Sequence, residues 1–366
     1  MACASAACGL FCGPAFGQPA ETDPSRVVFW GDGTRTLTIE DLSLQGPIAD
    51  PAQGPIAWDR VRTVIGPLAD EFEQRYKIEA RDVWRAASRL ERGDTAGAEP
   101  LFERLFEIYS DGVGPTSALI AEGLMRCRLG RGAVAPAIEA WTALLSACGN
   151  DTVEASRDRY EMRAILDPET GLVPTLSPVF RESPTLEALA QLDQSGIVGE
   201  PAAIMKWYRA AALHELGRPT GLTSLLLELP ERPDPGLDLV SSMVRARIDG
   251  PSGRAEARER LVRLLVRARS SEETAWMVAW CHAGIGRSLI EEEDAGLRRL
   301  GVSRLVLTHV TSAEVAPLLA GTALADAADV LESDGDAEGA GALRELLDAR
   351  YPSHPATRLT SRTGAP

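Results

Sequence analysis

Apolar residues recur at intervals of three and four along most of the chain beyond residue 67, which is the period of an amphipathic α-helix. The spacing is clearest at residues 83–109 and 119–148. In each stretch a glycine interrupts the apolar stripe, which then resumes on a second helix. The pattern therefore predicts two helical hairpins in tandem, and the rest of the chain is organised around them.

The second helix of each hairpin carries a repeated motif, Gly-x4-Ala-x3-aromatic-x2-apolar. The motif occurs twice in full and returns near the C-terminus with an arginine at the aromatic position and a closing proline. Its residues are Gly93, Ala98, Phe102 and Leu105, then Gly132, Ala137, Trp141 and Leu144, then Gly335, Ala340, Arg344, Leu347 and Pro352. The motif resembles the second half of a tetratricopeptide repeat, in which a turn precedes a small residue at a close helix crossing.

The repeat is divergent, because Ala98 and Ala137 lie 39 residues apart and a tetratricopeptide period is about 34. Further helices are predicted at 151–166, 185–195, 200–216, 218–229, 237–249, 252–270, 272–289, 294–310, 312–333 and 336–351. The predicted fold is mainly α, a right-handed α-solenoid of about six hairpins, in which stacking completes each core. This domain covers residues 67–352, and residues 353–366 are predicted to form a disordered tail.

The segment before the helices has a different pattern. Residues 27–30 and 34–39 are rich in side chains that favour β-strands, and they flank a glycine turn. Residues 54–64 are predicted to form a second extended stretch. Residues 18–66 are therefore predicted to form a small β-rich module, a hairpin or an SH3-like barrel. So short a module makes a poor core, and we expect it to pack against the first helices.

Residues 1–17 carry no charge and are mostly small or apolar. Small residues at positions 15 and 17 fit signal-peptidase cleavage after Gly17, so a periplasmic or secreted location is predicted. A basic segment before the apolar part is missing, and the alternative is a disordered tail on a cytoplasmic protein.

The net charge of the chain restricts the classes of partner that it can bind. The net charge of −15 argues against nucleic acid and against anionic lipid, since both need dense basic faces. Beyond the N-terminal stretch no apolar run reaches 18 residues, so no membrane span is predicted. Cys127, Cys148 and Cys281 remain after cleavage, and a disulfide between Cys127 and Cys148 stays an open alternative.

A proline-rich stretch at 167–184 interrupts the helical pattern while alternating prolines with apolar residues. Long ordered loops are usually functional or packed on a core. Two interpretations follow: a crossing segment packed on the solenoid, or a segment that occupies or gates its concave surface.

No catalytic, metal or cofactor motif is recognised, so no cofactor and no metal are predicted. Cys281 and His282 are adjacent and point about 100° apart on a helix, which excludes a local nucleophile–base pair. The acidic residues between Asp334 and Glu345 resemble an EF-hand loop, but the helical-repeat turn explains them better. The stretch 284–287, Gly-Ile-Gly-Arg, lacks the strand that a phosphate-binding loop needs.

By its resemblance to tetratricopeptide proteins, the chain is expected to be a non-enzymatic scaffold or adaptor whose concave face binds a protein or peptide. Arg85, Arg89, Arg126 and Arg128 lie away from the apolar stripes of first helices and are predicted to face that groove. The arginine-rich helix at 252–270 is predicted to be a solvated face, with docking of an acidic partner as the alternative.

A rival hypothesis is an enzyme or accessory subunit acting on cell-envelope glycans. Its acid and base would be carboxylates of the proline-rich stretch, Asp167, Glu169 and Glu182. A third alternative is a subunit of a larger envelope assembly.

Overall fold

The computed structural model describes residues 23–31, 36–148, 165–167, 169–192, 197–269 and 274–357. Over these residues the protein is mainly helical, with a small antiparallel β region at the N-terminal end. This confirms the predicted fold class at that level. The predicted signal peptide, the helix at 151–166 and the turn at 32–33 lie outside the described residues.

The β region contains two small sheets. Strand β1 (Arg26–Phe29) lies between β2 (Thr36–Thr38) and β5 (Val61–Ile65), antiparallel to both. Strands β3 (Asp41–Ser43) and β4 (Gly46–Ile48) form a separate antiparallel pair. The predicted pairing of residues 27–30 with 34–39 is thus present as the β1–β2 ladder.

The β region packs on the first helices through aromatic rings. Trp58, which lies in a short 3-10 helix, is fully buried and stacks on Tyr76 at 5.0 Å between ring centroids. Trp30 stacks on Trp84 at 4.2 Å. One continuous apolar core runs from Val27 into the helices, so the β region shares its core with them, as its small size requires.

Fourteen α-helices follow within the described residues. Their bounds are α1 Ala69–Arg75, α2 Lys77–Glu91, α3 Thr95–Tyr109, α4 Pro115–Gly130, α5 Val134–Cys148, α6 Ser183–Ala190, α7 Gly199–Glu215, α8 Leu222–Glu228, α9 Pro235–Ile248, α10 Pro251–Ala268, α11 Ala275–Leu289, α12 Ala295–Ser312, α13 Pro317–Ser333 and α14 Ala337–Arg350. None of these helices is long and apolar enough to cross a bilayer.

The same turn joins the helices of several pairs. A glycine in the left-handed region follows the first helix, and its N–H and that of the next residue donate to carbonyls in the last turn of that helix. This turn occurs at Gly93, Gly132, Gly217 and Gly335. Sequence analysis identified three of the four and missed Gly217, because no small-residue motif follows it.

Aspartates cap the helices after two of these turns. The Asp94 carboxylate accepts from the Gly97 N–H at 3.0 Å, and Asp336 accepts from Gly339 at 2.9 Å. The EF-hand resemblance near Asp336 is therefore a helix cap, as the repeat interpretation predicted. The alanine, aromatic and leucine positions of the motif are buried, whereas the turn glycines and Pro352 are exposed. Arg344, at the aromatic position, is partly exposed and pairs with Asp329 and Glu332.

The prediction of a disordered tail is corrected at residues 353–357, the part of the tail that the structure describes. His354 and Ala356 are buried, and the His354 ring lies against Gly321 of α13. The His354 ring thus packs at Gly321, and Ala356 packs in a cluster with Leu324 and Leu347, contacts that composition alone does not indicate.

Helices contact in chain order. Each helix from α2 to α7 contacts the next helix in the chain, and so does each helix from α9 to α13. Residues 149–164, between α5 and α6, are not described. Helices α7, α9, α11 and α13 also contact one another in that order, as α2 contacts α4. The first helices of successive pairs therefore lie side by side, and we call α7, α9, α11 and α13 the inner wall.

Glycines permit a close crossing of α11 with α12. A Cβ added to Gly286 would lie 2.8 Å from Leu305 Cγ and 3.1 Å from the Gly301 carbonyl oxygen. Gly284 faces Leu261 and Met243 in the same way. The stretch 284–287 is thus a helix-packing surface and not part of a phosphate-binding loop.

We predict opposite effects for two glycine substitutions. Gly286→Ala should lower the free energy of unfolding by about 1–3 kcal/mol, because the added methyl group overpacks a backbone contact. Gly341→Ala should raise it by about 0.5–1 kcal/mol, because its Cβ meets nothing within 4 Å and alanine favours the helix. Urea denaturation followed by circular dichroism measures both, and equal effects would contradict the close crossing.

Candidate functional site

The proline-rich stretch lies across the inner wall. We call residues 169–182 the crossing segment. Its residues line cavities together with residues of α7, α9, α11 and α13. The segment therefore spans the surface that the first helices of successive pairs create, and this surface is the candidate functional site.

The segment begins with a turn that the sequence builds locally. The Asp167 carboxylate accepts from the N–H of Thr170 at 2.9 Å and from its hydroxyl at 2.8 Å. Gly171, in the left-handed region, reverses the chain, and the Asp167 N–H donates to the Leu172 carbonyl. Prolines then prevent a helix, so the chain crosses the wall in an irregular form with a turn at residues 173–176.

Apolar side chains anchor the first half of the segment. Leu172, Val173 and Leu176 are completely buried. Each such side chain contributes about 1.5–3 kcal/mol by leaving water. Their sum is far larger than any single polar contact of the segment, so this half is a permanent part of the core.

Two side chains of the wall bind carbonyls of the segment. The Trp280 Nε1–H of α11 donates to the Pro174 carbonyl at 3.0 Å. The Tyr208 hydroxyl of α7 donates to the Leu176 carbonyl, and burial raises the pKa of Tyr208 well above its usual value, which keeps this donor protonated. The wall thus binds two carbonyls of a β-turn, in which the Leu176 N–H donates to the Val173 carbonyl at 2.9 Å.

The second half of the segment ends in an ion pair. Arg181 lies 3.4 Å from the Asp326 carboxylate and 2.5 Å from that of Asp329, both on α13. The Asp329 side chain is 49% exposed and that of Arg181 is 26% exposed. A pair this open to solvent contributes at most about 1 kcal/mol.

A polar cavity of about 340 Å³ adjoins this ion pair. Its walls are Phe180, Leu186, Ile290, Val330 and Ser333, together with six charged side chains. These are Arg181, Arg247 and Arg287, and Glu215, Asp326 and Asp329. The formal charges of the lining therefore balance only because the crossing segment contributes Arg181.

Arg287 is the most buried charge of this network. It donates to Asp326 at 2.8 Å and to Glu215 at 3.1 Å. Burial acts to lower the pKa of Arg287, but Asp326 and Glu215 outweigh it and raise that pKa. Burial acts to raise the pKa of Glu215, while Arg287 and Arg247 hold it below its usual value. Arg287 and Glu215 are therefore ionised at neutral pH.

A second cavity, of about 400 Å³, lies beside the start of the segment. Arg260, Arg263 and Arg267 of α10 line it on one face. Asp238 pairs with Arg260, and Glu169 pairs with Arg267. Most of the positive charge on this helix face is thus neutralised within the protein, and docking of an acidic partner stays a prediction.

The three carboxylates of the glycosidase hypothesis have separate environments. Asp167 accepts the hydrogen bonds of its own turn, Glu169 lines the cavity with Arg267, and Glu182 accepts from the Thr185 hydroxyl at 2.9 Å. Glu169 and Glu182 line different cavities. The structure does not bring the three together in one cleft.

The four predicted groove arginines lie near the first two hairpins and make contacts within the chain. Arg89 donates to the Gly97 carbonyl and Arg128 to the Pro136 carbonyl, each at 2.7–2.8 Å. These two arginines are 39 residues apart and clamp equivalent hairpins. Their role in partner binding stays a prediction.

Arg126 and Arg85 differ sharply in exposure. Arg126 pairs with the buried Glu122 at 2.7 Å. Arg85 is 55% exposed and has a long contact with Asp82. Of the four, Arg85 is the most available to a partner.

The remaining candidates for chemistry are structural. Cys127 and Cys281 are buried free thiols, and burial raises the pKa of each to about 12. His282 is buried on α11, where Arg304 donates toward its Nδ1. Within the described residues no three potential ligands form a metal site.

The charged residues of the inner wall, Arg287 and Asp326, were not identified from the sequence. A signal for both exists there. Helices α11 and α13 are small or apolar on nearly every face, and such helices are buried. A lone arginine or aspartate on such a helix must then be paired.

Comparison with protein families, with curated proteins and with solved structures finds no match for this chain. The resemblance to tetratricopeptide repeats therefore rests on the residues and turns described above.

We predict that the Trp280 hydrogen bond is measurable against a matched control on the same helix. Trp276 is equally buried, but its Nε1 has no hydrogen-bond partner among the described residues. Trp280→Phe and Trp276→Phe remove similar apolar volume, so Trp280→Phe should cost about 0.5–1.5 kcal/mol more free energy of unfolding. Urea denaturation measures both variants, and equal losses would contradict the proposed contact with Pro174.

We also predict a loss of stability at acid pH that depends on His282. Burial, with Arg304 and Arg269, lowers the pKa of His282 to about 4. The unfolded chain therefore takes up this proton first, near pH 6.5. The contribution is complete above pH 6.5 and is lost as the pH falls toward 4.

The measurement compares the wild type with His282→Gln, an uncharged variant that still accepts from Arg304. The melting temperature of the wild type should fall more between pH 7 and pH 5 than that of the variant. The other described histidines act equally in both proteins. Parallel curves would show that His282 does not titrate as its burial requires.

Proposed function

We propose that this protein is a non-enzymatic scaffold whose helix pairs form a tetratricopeptide-like, right-handed solenoid that binds an extended polypeptide segment on its concave face. The order of helix contacts and the shared glycine turns support the solenoid arrangement. The inner wall is the concave surface in this proposal.

One observation carries the proposal. The inner wall already holds a non-helical chain, the crossing segment, through donors aimed at two of its carbonyls. Backbone hydrogen bonds with pockets for side chains are the usual means of binding extended peptides. A wall that holds its own segment in this way has the chemistry to hold a partner segment beside it.

Space for a partner exists where the segment leaves the wall. The cavity of about 340 Å³ lies at that end, with apolar and charged walls. The export predicted from residues 1–17 is part of the proposal, so the partner is sought among envelope proteins. Arg85 marks the other end of the surface if binding extends to the first hairpins.

The test is affinity capture from envelope extract with protein beginning at Gln18. Val330→Arg places a bulky charge in the cavity of the inner wall, and Val266→Arg places the same charge on α10, where Val266 is 68% exposed. Both substitutions are valine to arginine, so nonspecific effects of the added charge are matched.

We predict that Val330→Arg loses at least tenfold of the captured partner and that Val266→Arg retains it. Quantitative mass spectrometry of the captured proteins measures this. Capture unchanged by Val330→Arg would show that the inner wall is not the binding surface. A loss on Arg85→Ala would extend the surface to the first hairpins.

A further inference from the structure

The carboxylates that hold Arg181 are arranged as a clamp. Asp326 directs Oδ1 to Arg181 and Oδ2 to Arg287, while Asp329 directs Oδ2 to Arg181 and Oδ1 to Arg344. The two nitrogens at the tip of Arg181 thus contact different aspartates. Arg287 of α11 and Arg344 of α14 hold these carboxylates in place independently of Arg181.

Charge makes this clamp specific. Without Arg181, the cavity lining retains Arg247 and Arg287 against three carboxylates, which leaves one negative charge uncompensated. A planar guanidinium can engage both aspartates at once, whereas an ammonium is a single point charge. The site therefore favours an arginine over a lysine.

The partial exposure of Arg181 and Asp329 allows another side chain to replace Arg181 in the clamp. The residues before Phe180 are buried, whereas Arg181 and Asp329 are open to solvent. The end of the crossing segment can therefore leave without exposing its apolar anchors. The cavity beside it offers Ile290 and Val330 as an apolar surface for the stem of an incoming side chain.

We propose that Asp326 and Asp329 form a subsite for an arginine side chain of the partner, which Arg181 fills until the partner displaces it. This rests on the proposed function and names the chemistry that the inner wall recognises. The partner segment presents arginine next to an apolar or aromatic residue, as Phe180 and Arg181 do here.

The test uses the full-length protein and a fluorescein-labelled peptide with the sequence of residues 178–183. In Arg181→Ala the clamp is empty, so the peptide should bind at least tenfold more tightly than to the wild type, whose own Arg181 competes as a tethered ligand. Fluorescence anisotropy measures the dissociation constants. Arg218→Ala removes another exposed ion pair, with Glu187, and should gain nothing.

Two further comparisons identify the contact. A peptide with lysine for its arginine should bind Arg181→Ala more weakly, and one with alanine should not bind. Asp329→Asn added to Arg181→Ala should remove binding of the arginine peptide. Thermal melting of each variant excludes unfolding as the cause of a loss.

The outcomes separate this inference from the proposed function. No saturable binding of the arginine peptide to Arg181→Ala below about 1 mM would overturn the inference. Equal binding of the arginine and alanine peptides would also overturn it. Partner capture sensitive to Val330→Arg but not to Asp329→Asn would leave the scaffold function standing without the arginine subsite.

Discussion

The structure depends on burying the inner helices on nearly all sides. Most residues of α4, α9, α11 and α13 are buried, whereas α10, α12 and α14 bury only a narrow stripe. An inner helix must therefore be covered by its pair partner, by its neighbours in the wall and by something on its remaining face. The crossing segment supplies part of that last cover.

Burial of this kind restricts which polar groups the wall can carry. A charged group placed there needs a partner, because desolvation without one costs several kcal/mol. Arg287 meets this condition through Asp326 and Glu215. The network then fixes the carboxylates that hold Arg181, so a packing requirement of the fold creates a preorganised polar site.

Periodicity predicted the helices well because their stripes are local. The boundaries of α9, α11 and α14 lie within three residues of the predictions, and the β1–β2 ladder follows from β-propensity around a turn. The crossing segment was predicted as either packed or occupying the groove. The structure packs it on the inner wall through deeply buried apolar residues, and its occupation of a concave surface stays a prediction.

The site itself could not be predicted in detail, since it depends on contacts far apart in sequence. Trp280 meets Pro174 and Arg181 meets Asp326 only after the helices have packed. Arg128 shows the same dependence: it lies off the apolar stripe, but it is buried and donates to the Pro136 carbonyl of the next helix. An apolar stripe indicates which way a side chain points from its helix, whereas the packing of neighbouring helices determines which residues that side chain contacts.

Amide hydrogen exchange of the wild-type protein tests most directly whether the crossing segment is held by the inner wall. If the inner wall holds the segment, the amides of Val173 and Leu176 exchange as slowly as those in the middle of α11, while the amide of Glu182 exchanges much faster. Exchange of Val173 and Leu176 at the rate of a free chain would contradict this prediction, because the inner wall would then be uncovered and would hold no segment of the chain.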